Sequence, residues 1–163
     1  MKRFFVALLC ALLIVTTLMP TAALAAKKNR VVYILNVNTD GARVRKEPNS
    51  SEDNVDTSLK KGTKVFYLGK SQSWFKIRSE FGHIGYTYKG FMNYYGAVKL
   101  KDIYVSDGTV KVYNKPNKNG SRVTTLSDDQ HVIVYATKGK WAYIHTLSGK
   151  KGYVLKANLK SPS

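Results

Sequence analysis

Two stretches of the chain decide how the rest is interpreted: "KSQSWFKIRSEFGHIGYTY" (residues 70–88) and "TKGKWAYIHTLSGKKGYVL" (residues 137–155). Each starts a short apolar segment at a Trp and continues to a Gly, two further residues and a Gly-Tyr pair. Trp74 and Trp141 stand 67 residues apart, and Gly85-Tyr86 and Gly152-Tyr153 keep that separation. The chain therefore repeats one structural unit.

The repeat extends over most of the chain. The same separation relates further pairs, which are Asp40-Gly41 with Asp107-Gly108, Leu59 with Leu126, Val65 with Val132, and Ile77 with Ile144. Each copy holds enough apolar residues for a small core of its own. The sequence predicts two tandem domains, at residues 31–94 and 103–160, joined by a linker at residues 95–102.

The first residues have the pattern of an export signal. Lys2 and Arg3 precede the apolar run "FFVALLCALLIVTTLM", and Ala23-Leu24-Ala25 supplies a small-residue cleavage site. This pattern predicts a cleaved signal peptide at residues 1–25 and no stable membrane span after cleavage. Cys10 is the chain's single cysteine, so the mature protein is expected to fold without disulfides.

The chain is strongly basic, with 27 Lys and Arg against 10 Asp and Glu and a net charge of +17. The predicted signal peptide carries little of this charge. A chain of this kind attracts polyanions, and for an exported protein these include anionic wall polymers, lipid head groups and released nucleic acid. Charge alone does not choose among them.

Both copies have the composition of β-strands. "TKVFYLG", "WFKIRS", "HVIVYAT" and "WAYIHT" are rich in β-branched and aromatic residues and are bounded by Gly, Ser, Asn and Asp. The Asp-Gly pairs at 40–41 and 107–108 predict tight turns with positive φ. The expected fold is all-β, with a small barrel or sandwich in each copy.

The motifs carry a family resemblance. "ARVRKEPNSSEDNVDTSLKKGTKVFYLG" resembles the first half of a bacterial SH3-type domain, and "SWFKIRSEFGHIGYTYKGFM" resembles its second half. The second copy keeps "VKVYNKPN", "WAYI" and "GKKGYV", with Tyr113 in place of Arg45 and Asp129-Gln130 in place of Gly62-Thr63. The resemblance implies two tandem small SH3-like β-barrels after the signal peptide.

Strand alternation sorts the side chains of each copy between two faces. In "WFKIR", Phe75 and Ile77 share the face expected to be the core, which leaves Trp74 on the other face with two cations. In "WAYIH", Ala142 and Ile144 are expected in the core, opposite Trp141, Tyr143 and His145. A Trp beside charged residues suggests a ligand groove, and the alternative is a structural Trp packed under a loop or over the barrel's end.

The resemblance implies ligand binding in an aromatic groove beside the polar loop that follows the first strand. The predicted ligand-binding residues are Arg45, Trp74, Tyr86, Tyr113, Trp141, Tyr143 and Tyr153.

No catalytic or metal-binding pattern is present in the sequence. His83, His131 and His145 are scattered without metal-ligand spacing, and neither H-E-x-x-H nor G-x-S-x-G occurs. The acidic pairs Glu52-Asp53 and Asp128-Asp129 are expected in polar loops. The sequence predicts no enzyme, no metal and no cofactor.

The resemblance implies a role at the cell wall, because extracellular bacterial SH3-type domains commonly bind peptidoglycan peptides or cross-bridges. The predicted function is a secreted, wall-associated and non-catalytic binding protein that uses two modules for avidity. Its expected partner is peptidoglycan or an anionic wall polymer. The alternative is a protein–protein interaction module that regulates or inhibits a wall enzyme. Specific nucleic-acid binding is not expected, because export argues against it.

Overall fold

The computed structural model describes residues 30–162, and the predicted signal peptide lies outside them. The described residues form β-strands joined by turns and short 3-10 helices. The strands are β1 (Val31–Val37), β2 (Ala42–Arg45), β3 (Val55–Leu59), β4 (Lys64–Ser71), β5 (Trp74–Arg78), β6 (Ile84–Tyr88), β7 (Met92–Lys99), β8 (Ile103–Ser106), β9 (Val110–Tyr113), β10 (Arg122–Leu126), β11 (His131–Lys138), β12 (Trp141–Thr146), β13 (Lys151–Leu155) and β14 (Leu159–Lys160). Across residues 30–162, no helix has the length and apolar character needed to cross a membrane.

The strands form two seven-stranded antiparallel sheets with the same topology. The first has the order β3-β2-β6-β5-β4-β1-β7, and the second has the order β10-β9-β13-β12-β11-β8-β14. Each strand of the second sheet occupies the place of the strand seven positions earlier in the chain. The prediction of an all-β protein with two tandem copies is confirmed, and closure of each sheet into a barrel stays a prediction.

Each sheet packs its own apolar core on the face that strand alternation predicted. In the first sheet Ile77 is buried and Phe75 packs against the core, which is completed by Leu35, Val37, Ala42, Val44, Val65 and Met92. In the second sheet Ala142 and Ile144 are buried with Val110, Val112, Leu126, Val132 and Val154. Trp74 and Trp141 belong to neither core, as their position on the opposite face requires.

The Asp-Gly pairs form the expected turns. Gly41 has φ +68° and Gly108 has φ +72°, a conformation that glycine adopts without steric cost. The Asp40 carboxylate accepts a hydrogen bond from the Lys61 N–H at 2.9 Å, which ties this turn to the β3–β4 turn. In the second copy Asp129 takes the place of Gly62, and it retains positive φ, at +55°.

The glycine of each Gly-Tyr pair has a packing role. A Cβ placed on Gly85 would lie 2.8 Å from the Arg45 carbonyl oxygen, and one placed on Gly152 would lie 2.6 Å from the Tyr113 carbonyl oxygen. Both distances are shorter than real Cβ contacts. Glycine therefore allows β6 to approach β2, and β13 to approach β9, at the point where the following Tyr meets its cross-strand neighbour.

The structure differs from the linker predicted at residues 95–102. Residues 95–99 continue strand β7, which pairs with β1 as far as Val31 opposite Lys99, and Leu100–Asp102 form a 3-10 helix. The tyrosines and valine of this segment favour extended backbone, and the length of β1 gives them a partner. The division into domains at residues 31–94 and 103–160 stays a prediction.

A third apolar cluster joins the two sheets. Ile34 and Phe66 from the first sheet are buried with Ile103, Ile133 and Leu147 from the second. Val32, Val98 and Leu100 pack against this cluster. Ile34 and Phe66 lie on the strand faces opposite the first core, so each sheet uses its outer surface at this junction. The two copies are therefore packed together through apolar contact.

Candidate ligand-binding faces

The predicted site residues lie on the outer side of each sheet, opposite its core. The term first face refers to Arg45, Trp74, Lys76, Arg78 and Tyr86. The term second face refers to Tyr113, Trp141, Tyr143, His145 and Tyr153. Equivalent strands carry them in both copies, namely β2, β5 and β6 in the first and β9, β12 and β13 in the second.

The register of the strands brings these residues together. Tyr86 stands opposite Arg45 on β2 and opposite Lys76 on β5. In the second copy Tyr153 stands opposite Tyr113 on β9 and opposite Tyr143 on β12. Residues paired across neighbouring antiparallel strands have side chains in contact range, so the Tyr of each Gly-Tyr pair forms the centre of its face.

The first face alternates cations with rings. The Arg45 guanidinium lies 5.7 Å from the centroid of the Trp74 ring, and the Lys76 ammonium lies 5.8 Å from that of Tyr86. Both distances are within the range of cation–π attraction. Arg45 is only 6% exposed, and its guanidinium donates a hydrogen bond to the Ser51 carbonyl oxygen in the loop after β2. Arg45 therefore fixes that loop and supplies charge from beneath the surface.

An aromatic ladder continues from Trp74 beyond the predicted residues. Trp74 meets Tyr88 edge-on with 6.2 Å between ring centroids, and Tyr88 meets Phe91 at 5.5 Å. Tyr88 is 42% exposed and Phe91 is 37% exposed. Sequence reasoning did not select these two residues, although Tyr88 has the same strand parity as Tyr86.

The second face consists of rings. The Tyr143 and Tyr153 rings lie 5.0 Å apart, and the Tyr113 and Trp141 rings meet edge-on at 6.0 Å. His145 lies 5.2 Å from Tyr143, edge-on. Tyr143, Tyr153 and Tyr113 are partly exposed. Ring pairs in these arrangements stabilise one another and hold a rigid surface.

His145 extends the second face to a ring that was not predicted, that of Tyr135 on β11. The two rings are tilted by 32° with centroids 4.0 Å apart, and Tyr135 is 56% exposed. Burial, and then the nearby Lys151 ammonium, lower the pKa of His145 below its ordinary value. His145 is therefore uncharged at neutral pH. Tyr135 has the same strand parity as the outward residues of β11, so strand alternation in the sequence could have identified it.

Trp141 belongs to the second face, but its side chain is not accessible to a ligand. Its side chain is 6% exposed, whereas Trp74 is half-buried. Both tryptophans were predicted as ligand-binding residues, and the groove was favoured more for Trp141, because two further rings share its face. The Tyr113 ring, which stands where the first copy has Arg45, is one of the neighbours of Trp141 and is perpendicular to the indole.

A further set of exposed rings lies at the β1–β7 edge of the first sheet and was missed by sequence reasoning. Tyr33, Tyr94 and Tyr95 are 48%, 67% and 58% exposed. The Tyr33 and Tyr94 rings are 6.0 Å apart, and the Lys64 ammonium lies 4.4 Å from the Tyr95 ring centroid. We call Tyr33, Tyr94 and Tyr95 the edge cluster. Tyr94 and Tyr95 fall at the start of the segment interpreted as a linker, so the sequence did not predict that they lie beside Tyr33 in one sheet.

Within residues 30–162, no group of His, Cys, Asp and Glu side chains is placed to hold a metal ion. His131 and His145 lie on the same face of the second sheet, because His145 pairs with Ile133, two residues after His131, but His131 is buried against the first copy. The described residues thus offer aromatic and cationic surfaces as their candidate sites.

The comparison with protein families identifies both copies. The model of the bacterial SH3 domain matches residues 40–93 and again residues 108–160, which together make up more than half of the chain. The chain belongs to the bacterial SH3 domain family. The two matches correspond to the two sheets and include every predicted site residue.

The search of solved structures matched parts of larger proteins. NlpC2 from Trichomonas vaginalis is 15% identical with a TM-score of 0.36, over 80% of this chain and 48% of that one. NlpC1 from the same organism is 16% identical with a TM-score of 0.37, over 80% and 46%. An NlpC/P60 family protein from Bacillus cereus is 11% identical with a TM-score of 0.34, over 78% and 55%. The match thus spans about half the length of each of these proteins. The search of curated proteins found no match.

Proposed function

We propose that this protein is a secreted, non-catalytic binding protein that attaches to peptidoglycan in the bacterial cell wall through its two SH3 domains. The observation that carries the proposal is the presence of an aromatic face in the same register on both domains. The family match supports it, since bacterial SH3 domains commonly bind the cell wall. The export pattern at residues 1–25 supports secretion.

The geometry of the faces suits binding. Partly exposed rings held by neighbouring rings offer contact area with little side-chain entropy to lose, and Trp and Tyr are the residues that most often dominate binding energy. Two faces on one chain reinforce each other when both can reach a ligand on the same wall. Because the sheets pack together through Ile34, Phe66 and Ile133, the faces are carried by one packed unit.

The experiment is a pull-down of the mature chain on purified peptidoglycan sacculi. Tyr143→Ala with Tyr153→Ala is expected to weaken binding about tenfold or more, because central aromatic contacts each contribute over about 1 kcal/mol. The matched control is Tyr94→Ala with Tyr95→Ala, which removes two tyrosines at the β1–β7 edge. Equal binding by the second-face variant and the parent would overturn the assignment of this face.

The alternative function is a protein–protein interaction module that acts on a wall enzyme, and the edge cluster favours it. Strand β7 is at the end of its sheet, and its exposed tyrosines, with Tyr33 beside Tyr94, form a surface suited to a protein partner. Under this alternative the mature chain ignores sacculi, and the control variant at Tyr94 and Tyr95 is the one that loses its partner.

A further inference from the structure

We infer that the free edge of strand β7 binds an acidic, extended peptide segment of a partner protein, which pairs with β7 as an additional strand. This edge is separate from the first and second faces, so the inference goes beyond the proposed attachment to the wall. Strand addition of this kind obtains affinity from main-chain hydrogen bonds and specificity from alternate side chains of the added strand.

Strand β7 is long and has one partner. Its eight residues, Met92–Lys99, lie at the end of the sheet and pair with β1, and with no other strand among residues 30–162. The equivalent strand of the second copy, β14, has two residues. An edge strand of the length of β7, without proline, presents a row of backbone groups with which a further strand can pair.

The hydrogen bonds at the two ends of the β1–β7 ladder show which backbone groups of β7 point outward. At one end the Leu100 N–H donates to the Arg30 carbonyl oxygen at 2.7 Å, and at the other the Asn38 N–H donates to the Phe91 carbonyl oxygen at 2.9 Å. Both bonds join residues that stand directly opposite one another in the register of the ladder. From each of these positions inward, hydrogen-bonded and non-hydrogen-bonded pairs alternate.

This alternation leaves two exposed residues of β7 with free backbone groups. Ala97 stands opposite Tyr33, three pairs from one end, and Tyr94 stands opposite Leu35, three pairs from the other end. Both are therefore in non-hydrogen-bonded pairs, so their N–H and C=O groups point away from β1. Because Ala97 and Tyr94 are exposed, a further strand can reach these groups.

Rings flank this edge on the core side of the sheet. Tyr94 stands opposite the core residue Leu35, and Tyr33 precedes Leu35 by two residues, so both rings lie on that side. Their centroids are 6.0 Å apart, and the Tyr67 ring continues the row at 6.4 Å from Tyr33. A strand added to β7 places every second side chain on this side. The rings therefore favour a peptide with apolar side chains at alternate positions.

The surroundings of the edge are basic. Residues 30–37 and 89–101 contain four cations and neither Asp nor Glu. These cations are Arg30, Lys89, Lys99 and Lys101, all of them exposed and absent from the ion pairs formed within the described part of the chain. The Lys64 ammonium adds a fifth positive charge, 4.4 Å from the Tyr95 ring centroid. Charge complementarity therefore favours a peptide that carries carboxylates.

A second copy of this chain fits the edge less well than a peptide does. The net charge of +17 repels another copy. The pairing with β1 passes from Gly96 to Tyr94, so Tyr95 is an extra residue in β7. Such a bulge bends the edge and hinders the pairing of two sheets. A flexible peptide can follow a bent edge, whereas the edge of a folded sheet cannot.

The probe is a synthetic nonapeptide of alternating Glu and Val, added to the full mature chain. We expect calorimetry to show binding, and the amide resonances of Tyr94 and Ala97 to shift as the peptide is added. The same peptide with N-methyl groups along one edge should not bind, because it lacks the N–H donors of a strand. A peptide with Lys in place of Glu should not bind either. No binding of the Glu-Val peptide, or equal binding of the N-methylated peptide, overturns the inference.

Two variants test the edge itself. Ala97→Pro removes an outward N–H and leaves the ladder with β1 intact, as proline on an edge strand permits. Tyr94→Ser removes a ring and keeps the backbone, so it serves if Ala97→Pro does not fold. We expect each to weaken binding of the Glu-Val peptide about threefold to tenfold, the ratio that one net hydrogen bond or one ring contact supports.

The matched control is Tyr135→Ser, which removes an exposed ring from the second sheet and should bind the peptide as the parent does. Thermal melts establish that each variant is folded. Unchanged peptide binding by the folded variants at the edge overturns the inference.

Two further measurements distinguish other occupants of the edge. Sacculus binding should be the same for Tyr94→Ser and the parent, and its loss would identify the wall as the occupant and overturn the inference. Analytical ultracentrifugation should show a monomeric parent. A dimer that Tyr94→Ser abolishes would identify a second copy as the occupant, which also overturns the inference. Failure of the parent to bind sacculi would contradict the proposed function alone, because peptide binding at the edge does not depend on it.

Discussion

The Glu80 carboxylate of the first domain accepts a hydrogen bond from the backbone N–H of Ser148 in the second, with 2.9 Å between Oε2 and N. The Glu80 carbonyl oxygen also accepts a hydrogen bond from the His131 N–H, at 2.6 Å. The Glu80 side chain is buried. One residue in the β5–β6 loop of the first domain therefore holds two segments of the second domain, beside the apolar junction of Phe66 and Ile133.

Glu80→Ala is expected to loosen the junction between the domains. The Ser148 N–H loses its acceptor, and an unpaired buried donor costs about 1 to 3 kcal/mol of unfolding free energy. Calorimetry should show one cooperative transition for the parent and a broader or split transition for the variant. Glu80→Gln keeps an acceptor oxygen and should retain most of the stability.

The control for this prediction is Glu52→Ala, which removes the same charge from an exposed ion pair with Arg43. Exposed pairs of this kind contribute about 1 kcal/mol or less, so we expect little change. If Glu80→Ala melts as the parent does, the hydrogen bond does not couple the domains.

Gly85→Ala and Gly152→Ala are expected to destabilise the protein, by about 1 to 3 kcal/mol for each overpacked position. The added methyl group would meet the backbone of β2 or β9, which cannot move without disturbing the sheet. Gly96→Ala in β7 is the matched control, because a Cβ there meets no atom within 4 Å. It should be neutral or stabilising, since glycine is unfavourable inside a strand. Urea unfolding of the three variants provides the comparison, and similar losses for all three would contradict the packing role of Gly85 and Gly152.

Trp141→Ala is expected to lower stability by about 3 to 5 kcal/mol, the usual loss when a buried large aromatic is truncated. Trp74→Ala should lower it less, because Trp74 is half-buried while Trp141 is 6% exposed. Thermal melts measured beside sacculus binding separate the two effects. Trp74→Ala should weaken binding to sacculi while lowering the melting temperature less than Trp141→Ala does. If Trp74→Ala lowers the melting temperature more than Trp141→Ala, burial does not determine the stability contributed by these two residues.

Acidification is expected to destabilise the junction through His131. Burial, and then the Arg78 guanidinium, lower the pKa of His131 below its ordinary value of 6.5. The unfolded chain therefore binds a proton more readily than the folded chain, and stability decreases as the pH is lowered wherever that holds. The contribution is fully present above about pH 6.5 and is lost as pH falls from there through the lowered folded-state pKa.

The measurement is the urea midpoint between pH 7.5 and pH 5 for the parent and for His131→Gln. The variant should lose less stability on acidification than the parent does. Some dependence of its stability on pH should remain, because the pKa of His145 is also lowered. His83→Gln is the control, because His83 is exposed. Parallel curves for the parent and His131→Gln would rule out His131 as the source.

Strand parity could be predicted from local sequence, and so could the two cores. Alternation in "WFKIR" and "WAYIH" depends only on backbone geometry, which sends neighbouring side chains to opposite faces. Ile77 and Ile144 consequently lie in the cores, with Lys76 and Tyr143 outside them. The repeated Gly-Tyr pair could also be recognised in the sequence. The physical reason for its glycine, the close approach of Gly85 to Arg45, involves a distant strand and could not.

Features that depend on contacts distant in sequence could not be predicted. Residues 95–99 follow the last repeated motif of the first copy and precede the second copy, as a linker would, and their place in a strand depends on pairing with the distant strand β1. Trp141 has the same local setting as Trp74, yet it is 6% exposed, and the Tyr113 ring that contacts it comes from another strand.

The sequence by itself determined the repeat, the all-β class, the core positions and the basic charge, because each depends on residue type and on spacing along the chain. Only the tertiary structure decided the joining of the two domains through Phe66, Ile133 and Glu80. It also decided which rings are covered by cations and which remain open. These features arise where side chains from separate strands meet, and the energy of such a contact depends on distances that linear spacing does not specify.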